Sequence, residues 1–150
     1  MGREIVELTN MCMIYDNDGN ILVQNKIGKS WGGVTFPGGH IEHNESFHDS
    51  VIREVKEETG IDIRNPKLCG IKHWVISKKS RYIVLLYKTN EFSGNLSSSE
   101  EGDVFWIKKS ELNNYRLADG FDVMFRVFDD DNLSEFIEVK EKSEWVKYIY

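Results

Sequence analysis

Short apolar runs separated by turn residues recur along this chain, and they predict β-strands. The first run covers residues 6–15, with a polar interruption at Thr9 and Asn10. A turn cluster at residues 16–20 separates it from a second run at 21–23, so these two segments predict a hairpin. Further strand-like segments lie at residues 34–36, 68–75, 82–87 and 104–107.

Two other segments repeat apolar residues at helical spacing. The first begins after Ser46, a suitable N-cap with Asp49 three residues on, and ends at Gly60. The second is predicted over residues 121–128, and residues 135–150 predict a final strand or an irregular tail. The apolar stripe of the first helix consists of Phe47, Val51, Ile52, Val55 and Thr59. Strands with two interspersed helices are compatible with an α/β/α sandwich, but periodicity alone does not choose its topology.

Length and composition limit the class of protein. A chain of 150 residues with 40% hydrophobic content fits one globular domain over residues 1–150. No apolar stretch approaches a membrane span, and the first ten residues lack the apolar core of a signal peptide. The two cysteines, Cys12 and Cys69, are too few for a disulfide framework. We therefore expect reduced thiols in a cytoplasmic protein that has no membrane partner.

The net charge of −6 argues against a surface that binds a nucleic acid polymer, which would show clustered Lys and Arg. An acidic pocket still suits a small polyphosphate when Mg²⁺ mediates the contact. Nothing in the pattern fixes an oligomeric state.

The carboxylates of the first helix have a spacing that matters for chemistry. Glu54, Glu57 and Glu58 are three and four residues apart, so on an α-helix they share one side. Like charges there are unfavourable unless a positive group lies between them, and a hard divalent cation such as Mg²⁺ prefers carboxylate oxygens. Arg53 lies four residues before Glu57 and can brace that carboxylate from behind. The alternative is a solvated helix face whose charge is offset by Arg53 and Lys56.

The segment from Gly39 to Ile61 resembles the Nudix box, the signature of hydrolases that act on nucleoside diphosphates linked to another group. The family pattern is Gly, five residues, Glu, seven residues, Arg-Glu-aliphatic-any-Glu-Glu-any-Gly-aliphatic. It is matched without departure by Gly39, Glu45, Arg53, Glu54, Val55, Lys56, Glu57, Glu58, Thr59, Gly60 and Ile61. The resemblance implies an α/β fold, a Nudix-type α/β/α sandwich with a mixed β-sheet between helices.

The same resemblance implies roles for the box residues. Glu54, Glu57 and Glu58 are expected to hold Mg²⁺, with Mn²⁺ as a possible substitute, directly or through water. The backbone carbonyl of the glycine before the box helps to hold metal in the family, which points here to Gly38 or Gly39. Glu45 is expected to support the start of the helix and the Arg53 side chain.

Outside the box, the segments WGGVTFPGGHIEHNES and LADGFDVM resemble the MutT-type branch, commonly described as 8-oxo-dGTP diphosphatases. This resemblance implies that Glu101, rather than Glu100, adds a metal ligand or general base; the alternative is an acidic surface loop. It implies that Asp119 reads the purine edge, although Asp119 would serve equally well as the N-cap of the second helix. Because an ionised Asp only accepts hydrogen bonds, the preferred base stays open. Lys26 lies where such enzymes carry a cation that touches phosphate; the alternative is an exposed hairpin lysine.

The chemistry implied is cleavage of a nucleoside triphosphate to monophosphate and pyrophosphate. A divalent cation offsets the phosphate charge and activates water, and a nearby carboxylate can take the proton. Two alternatives stay open. One is a Nudix hydrolase of another substrate, such as a dinucleoside polyphosphate, a nucleotide sugar or a pterin triphosphate. The other is a Nudix-fold module that senses nucleotides without turnover.

Two further sets of side chains have competing interpretations. His40 and His43 have a spacing seen in zinc sites, but no Cys or further His completes a tetrahedron, so we expect them to border phosphate or solvent. Four aromatic residues could stack on a base, although core packing is the preferred interpretation for each: Trp31, Trp74, Tyr82 and Trp106.

Overall fold

The computed structural model describes residues 2–27 and 32–150, so Trp31 lies outside the described residues. Two α-helices and a 3₁₀ helix are interspersed among the strands. The helices are α1 (Phe47–Thr59) and α2 (Phe121–Asp129), and the 3₁₀ helix covers Lys109–Asn114. The strands are β1 (Ile5–Ile14), β2 (Asn20–Lys26), β3 (Gly33–Thr35), β4 (Asp62–Arg64), β5 (Lys67–Ser77), β6 (Ser80–Thr89), β7 (Glu91–Ser93), β8 (Asp103–Lys108), β9 (Glu135–Glu141) and β10 (Glu144–Ile149).

The main sheet is mixed and has the strand order β1-β6-β5-β9-β10. Strands β1 and β6 are parallel, as are β5 and β9, while the pairs β5–β6 and β9–β10 are antiparallel. An antiparallel sheet of order β3-β2-β8 lies beyond the other edge of β1, and β4 pairs with β7 in a small third sheet.

The sheets lie between the two helices, and alternate side chains on each strand enter two different cores. On β1, Cys12 and Ile14 pack with Val51 and Val55 of α1, whereas Met13 packs in the core that contains α2. Strands β2 and β6 divide their side chains between the same two cores. Strands buried on both faces read as continuous apolar runs, which is why the alternation was not visible in the sequence. The predicted α/β/α sandwich with a mixed sheet is confirmed.

The predicted strands and helices are confirmed, but the prediction that the first two strands form a hairpin is wrong. Instead of a hairpin, β1 and β2 share a single antiparallel bridge between Tyr15 and Ile21, and they continue into different sheets. The strand β1 pairs with β6, and β2 pairs with β3 and β8. The C-terminal tail forms an antiparallel hairpin of two strands, β9 and β10.

The predicted ends of α1 are confirmed, and they orient its carboxylate face. The Ser46 Oγ accepts a hydrogen bond from the Asp49 N–H at 2.9 Å, and Gly60 ends the helix in the left-handed conformation, with φ 77°. In the described part of the chain, no helix has the length and apolar character needed to span a bilayer.

Candidate active site

A clamp between Glu45 and Arg53 fixes the loop before α1 to the helix. The Glu45 carboxylate accepts two hydrogen bonds from the Arg53 guanidinium, from Nε and Nη2, each at 2.8 Å. It also accepts the Glu42 N–H at 2.8 Å. These bonds, chiefly those from Arg53, lower the pKa of the Glu45 carboxyl to about 2. The predicted supporting role of Glu45 is confirmed.

The remaining guanidinium nitrogen of Arg53 contacts two of the box glutamates. Its Nη1 donates to Glu54 Oε1 at 2.8 Å and to Glu57 Oε2 at 3.2 Å. The predicted contact between Arg53 and Glu57 is therefore present, and Arg53 also contacts Glu45 and Glu54. Glu57 is the exposed member, with 58% of its side chain accessible, because its position on α1 faces away from the sheets.

Glu58 lies one turn after Glu54 on the same side of α1, and it is the buried member of the three. Only 7% of its side chain is accessible, and its Oε2 accepts the Gly38 N–H at 3.1 Å. Its Oε1 lies 3.7 Å from Lys26 Nζ. Burial raises the pKa of the Glu58 carboxyl to about 7, against the opposing effects of Lys26 and the Gly38 N–H. The solvated-face alternative for the box carboxylates is wrong for Glu58.

Residues 37–39, just before the helix, run antiparallel along β1 and direct the N–H and the carbonyl of Gly38 toward α1. The Pro37 and Gly39 carbonyls accept from β1, at the Cys12 N–H and the Asn10 N–H, each at 2.9 Å. Since carbonyls alternate along an extended chain, the Gly38 carbonyl points to the other side, where the Gly38 N–H meets Glu58. Of the two predicted carbonyl ligands, this arrangement favours Gly38.

Both glycines are required by close approach. A Cβ on Gly38 would lie 2.1 Å from the Asn10 carbonyl oxygen, and a Cβ on Gly39 would lie 2.3 Å from Glu54 Oε2. The backbone therefore lies directly between β1 and the α1 carboxylates. Any larger residue would push the two apart.

The donor atoms fit a hard divalent cation. They are carboxylate oxygens from Glu54, Glu57 and Glu58 and a backbone carbonyl, the oxygen ligands that Mg²⁺ prefers, and a glycine cradle brings the backbone against Glu54. Within residues 2–27 and 32–150, however, no three His, Cys, Asp or Glu side chains already converge on one point. The reason is Arg53, which holds Glu54 and Glu57 while Glu58 faces Lys26. Glu57 is exposed, so its side chain can rotate toward a cation.

Lys26 joins this group through its long side chain. Only 10% of it is accessible, and Nζ lies 3.3 Å from Glu101 Oε2 as well as 3.7 Å from Glu58. The alternative interpretation of Lys26 as an exposed lysine is therefore wrong. Glu101 itself is 58% accessible and joins the site through its contact with Lys26, whereas Glu100 is exposed on the same turn. We call the set Lys26, Glu45, Arg53, Glu54, Glu57 and Glu58 the glutamate cluster.

A strip of aromatic and charged side chains leads away from the glutamate cluster over the α2 face of the main sheet. The His40 carbonyl accepts from Arg53 Nη2 at 3.0 Å, and the His40 ring meets Tyr82 edge-on at 6.4 Å between centroids. Tyr82 stacks on Trp74, with centroids 4.4 Å apart and planes at 14°. Lys72 Nζ lies 5.4 Å from the Trp74 centroid.

Glu138 of the C-terminal hairpin completes this strip. Its Oε1 lies 3.7 Å from Lys72 Nζ, and both side chains are largely buried. Burial lowers the pKa of the Lys72 ammonium, while Glu138 and Asp119 oppose that shift. We call Lys72, Trp74, Tyr82 and Glu138 the aromatic strip.

Asp119 lies at the end of this strip. Its side chain is 78% accessible, and Oδ1 is 3.7 Å from Lys147 Nζ. The N-cap of α2 is Gly120, in the left-handed conformation, so the interpretation of Asp119 as a helix cap is wrong. A Cβ on Gly120 would lie 2.9 Å from Glu138 Oε1, which places the start of α2 against the aromatic strip.

The structure also places residues that sequence reasoning missed. Asn10 Oδ1 accepts the Gly39 N–H at 3.2 Å, and its Nδ2 donates to the Ser50 hydroxyl at 2.8 Å. The polar interruption at Thr9 and Asn10 was the available signal. Lys72, Glu138 and Lys147 had no such signal, since each belongs to an ordinary strand. Of the other aromatic residues, Trp106 packs against Phe92 with centroids 5.2 Å apart.

Comparison with known proteins agrees with this geometry. The NUDIX domain model matches residues 8–130. The chain is 35% identical over 112 residues to the uncharacterized Nudix hydrolase YvcI of Bacillus subtilis, covering 71% of this chain and 70% of that protein. It is 27% identical over 107 residues to the CTP pyrophosphohydrolase of Escherichia coli, covering 70% of this chain and 78% of that one.

A solved structure of a MutT protein from Bacillus halodurans superposes with a TM-score of 0.80 at 29% identity, covering 95% of this chain and 97% of that one. By contrast, the chain spans only 42% of Nudix hydrolase 2 of Arabidopsis thaliana and 35% of the NAD-capped RNA hydrolase NudC of Vibrio atlanticus. Nudix hydrolases generally use divalent metals such as Mg²⁺. On its sequence, its fold and the arrangement of its box residues, this chain belongs to the Nudix hydrolase family.

Proposed function

We propose that the protein is a Mg²⁺-dependent pyrophosphohydrolase that cleaves nucleoside triphosphates, with an oxidised purine nucleotide such as 8-oxo-dGTP as the preferred substrate. Water attacks a phosphorus atom of the triphosphate, a bridging P–O bond breaks, and the nucleoside monophosphate and pyrophosphate are released. The observation that carries the proposal is that Glu58 contacts both the Gly38 N–H and Lys26, while Glu54, one helical turn earlier, lies against Gly39. The likeness in fold to a MutT protein and in sequence to a CTP pyrophosphohydrolase, each over most of the relative's length, supports the triphosphate class.

In this proposal the glutamate cluster binds the phosphates through a divalent cation and through Lys26. Glu54, Glu57, Glu58 and the Gly38 carbonyl hold the cation, which when bound supplies neutralisation of phosphate charge and activation of water. Lys26 is the ammonium nearest Glu58, and it can shift from that carboxylate to a phosphate oxygen. Arg53, held by Glu45, keeps Glu54 and Glu57 oriented.

Glu101 is our candidate for the added ligand or general base. Its carboxylate is tied to the site by Lys26 alone among the described contacts, and its side chain is exposed. When Lys26 turns to a phosphate, Glu101 Oε2 is released and can take a proton from water beside the phosphate chain.

The aromatic strip and Asp119 receive the nucleoside. Tyr82 and Trp74 pack against the core, as predicted, but both stay partly accessible next to His40, and base–aromatic stacking is a sequence-tolerant source of affinity. Asp119 contributes a carboxylate at the exposed end of the strip, which can accept an N–H from the base edge. This places base recognition in side chains separate from those that hold the phosphates.

The experiment is a measurement of pyrophosphate release with and without Mg²⁺, for the wild type and for Glu57→Gln. Because Glu57 is exposed, its replacement removes a ligand without disturbing a core. Glu111→Gln, which changes an exposed glutamate on the 3₁₀ helix, is the matched control. We expect Mg²⁺-dependent release in the wild type and the control and a large loss in Glu57→Gln. Equal, metal-independent rates in all three proteins would remove the enzymatic function and leave the nucleotide-sensing alternative.

The substrate is tested by comparing kcat/KM for dGTP, 8-oxo-dGTP, ADP-ribose and diadenosine tetraphosphate. We expect the triphosphates to lead, with 8-oxo-dGTP first. A wide preference for ADP-ribose or the dinucleotide would select the alternative Nudix substrate class and would remove the base-reading role of Asp119.

A further inference from the structure

Gln24 is an anomaly in the interior of this protein. It lies on β2, its relative exposure is 0%, and within the described residues neither its amide nitrogen nor its amide oxygen has a hydrogen-bond partner. Leaving a buried amide unpaired costs free energy, and such a group in a folded protein calls for an explanation. Asn10, the other buried amide beside the site, has both functional atoms bonded.

The alternation of β2 shows which way the Gln24 side chain points. Leu22, two residues earlier, packs in the core with Val51 and Val55 of α1. Lys26, two residues later, reaches Glu58 on the same helix. Since side chains at even spacing on a strand share one face, Gln24 points toward α1 between these two contacts.

Glu58 is held over this same stretch of β2. One carboxylate oxygen contacts Lys26 Nζ at 3.7 Å and the other accepts the Gly38 N–H at 3.1 Å. Gln24 is paired across the sheet with Thr35 of β3 and Val104 of β8, and the Thr35 hydroxyl contacts Met11 Sδ at 3.8 Å. The alternation of β2 therefore directs the amide toward the part of α1 that carries Glu58, whose two oxygens are oriented by Lys26 and by the Gly38 N–H.

We propose that Gln24 is a positioning residue for Glu58, and that its carboxamide, through one shared water molecule, holds the Glu58 carboxylate in the orientation that takes a divalent cation. A buried water needs two to four polar partners, and the two amide atoms with a Glu58 oxygen meet that need. Groups that orient metal ligands from outside strongly affect metal affinity. The inference rests on the proposed function for the identity of the cation site.

The test replaces Gln24 by methionine, which keeps the unbranched shape and removes both polar atoms. Leu22→Met is the matched control, because it changes packing on the same face of β2 without removing a polar group. Three quantities are measured for each protein: the thermal midpoint, the Mg²⁺ affinity by titration calorimetry, and kcat with KM for the best substrate. A high-resolution crystal structure of the wild type would show whether a water joins Gln24 and Glu58.

We expect Gln24→Met to remain folded, because methionine keeps the length and unbranched shape of the buried side chain. We also expect its Mg²⁺ affinity and kcat to fall about tenfold or more, with KM changing much less, while Leu22→Met keeps both values. Unchanged Mg²⁺ affinity in Gln24→Met, whatever its stability, would overturn the inference, as would a wild-type crystal with no shared water. Wild type that binds Mg²⁺ but releases no pyrophosphate would contradict the proposed function alone, since metal affinity still decides the role of Gln24.

Discussion

The glutamate cluster and the aromatic strip are built in different ways. Most of the cluster comes from one helix and the loop before it, and its charges are fixed by short bonds, such as the two 2.8 Å contacts between Arg53 and Glu45. The strip is assembled from β5, β6 and the C-terminal hairpin, and its charged pair lies 3.7 Å apart. In the proposed function, the local part holds the cation and the distributed part receives the nucleoside.

Among the substitutions in the two regions, Glu58→Gln should cause the largest loss of activity. The glutamine oxygen can still accept the Gly38 N–H, but the side chain loses its charge as a ligand, so we expect kcat/KM to fall by about 10²–10⁴-fold. Thermal stability should stay the same or rise, because burying an ionised carboxylate is costly. Steady-state kinetics and thermal unfolding measure the two effects. Full activity in a well-folded variant would remove Glu58 from the site.

Two neighbouring acidic residues beside the glutamate cluster, Glu100 and Glu101, offer a sharper test of the general-base assignment. Glu101 contacts Lys26, and Glu100 is exposed, so Glu101→Gln should lower kcat by about 10–100-fold while Glu100→Gln should not. The comparison needs kcat for both variants at saturating Mg²⁺. Equal losses, or a larger loss in Glu100→Gln, would reverse the assignment.

Changes in the aromatic strip should alter substrate choice more than rate. Trp74→Ala removes a ring that stacks on Tyr82, and we expect KM to rise about tenfold for nucleoside triphosphates, with kcat much less affected. Inorganic triphosphate, which has no base to stack, is the control substrate and should be insensitive. A loss of kcat without a change in KM would place Trp74 with the chemistry instead.

Asp119→Asn tests the exposed end of the strip. The amide adds a donor where the ionised carboxylate only accepts, so we expect the preference between purine triphosphates to change by about threefold to tenfold. The measurement is the ratio of kcat/KM for 8-oxo-dGTP and dGTP in the variant and the wild type. An unchanged ratio would show that Asp119 does not contact the base.

The smallest expected effect is on thermal stability; it comes from the Glu45–Arg53 pair and depends on pH. Arg53 lowers the pKa of the Glu45 carboxyl from 4.5 to about 2, so this pair stabilises the folded state fully above pH 4.5 and progressively less as the pH falls toward 2. The thermal midpoint of the wild type should therefore fall more steeply over this range than that of Glu45→Gln. Parallel curves for the two proteins would show that the pair does not contribute to stability.

The sequence predicted those features of the structure that depend on residues close together along the chain. Ser46, Gly60 and the spacing of Glu54 and Glu58 predicted the helix and its carboxylate face because a helix relates residues three and four apart. The partners of β1 and β2 could not be predicted, since strand pairing depends on contacts distant in sequence. Lys26 was predicted as a site residue, but its contact with the buried Glu58 needed the tertiary structure. The meeting of Lys72 with Glu138 has the same cause: strands that pair in the sheet lie far apart along the chain.

The central claim is that the α1 carboxylates and the Gly38 carbonyl hold a divalent cation against the phosphates. A crystal grown with Mn²⁺ and a non-hydrolysable nucleoside triphosphate tests it most directly, because the anomalous signal locates the ion. We predict an ion bound by Glu54, Glu57 or Glu58 and by the Gly38 carbonyl, in contact with phosphate oxygens. An ion found elsewhere, with the three carboxylates pointing apart into solvent, would contradict the account.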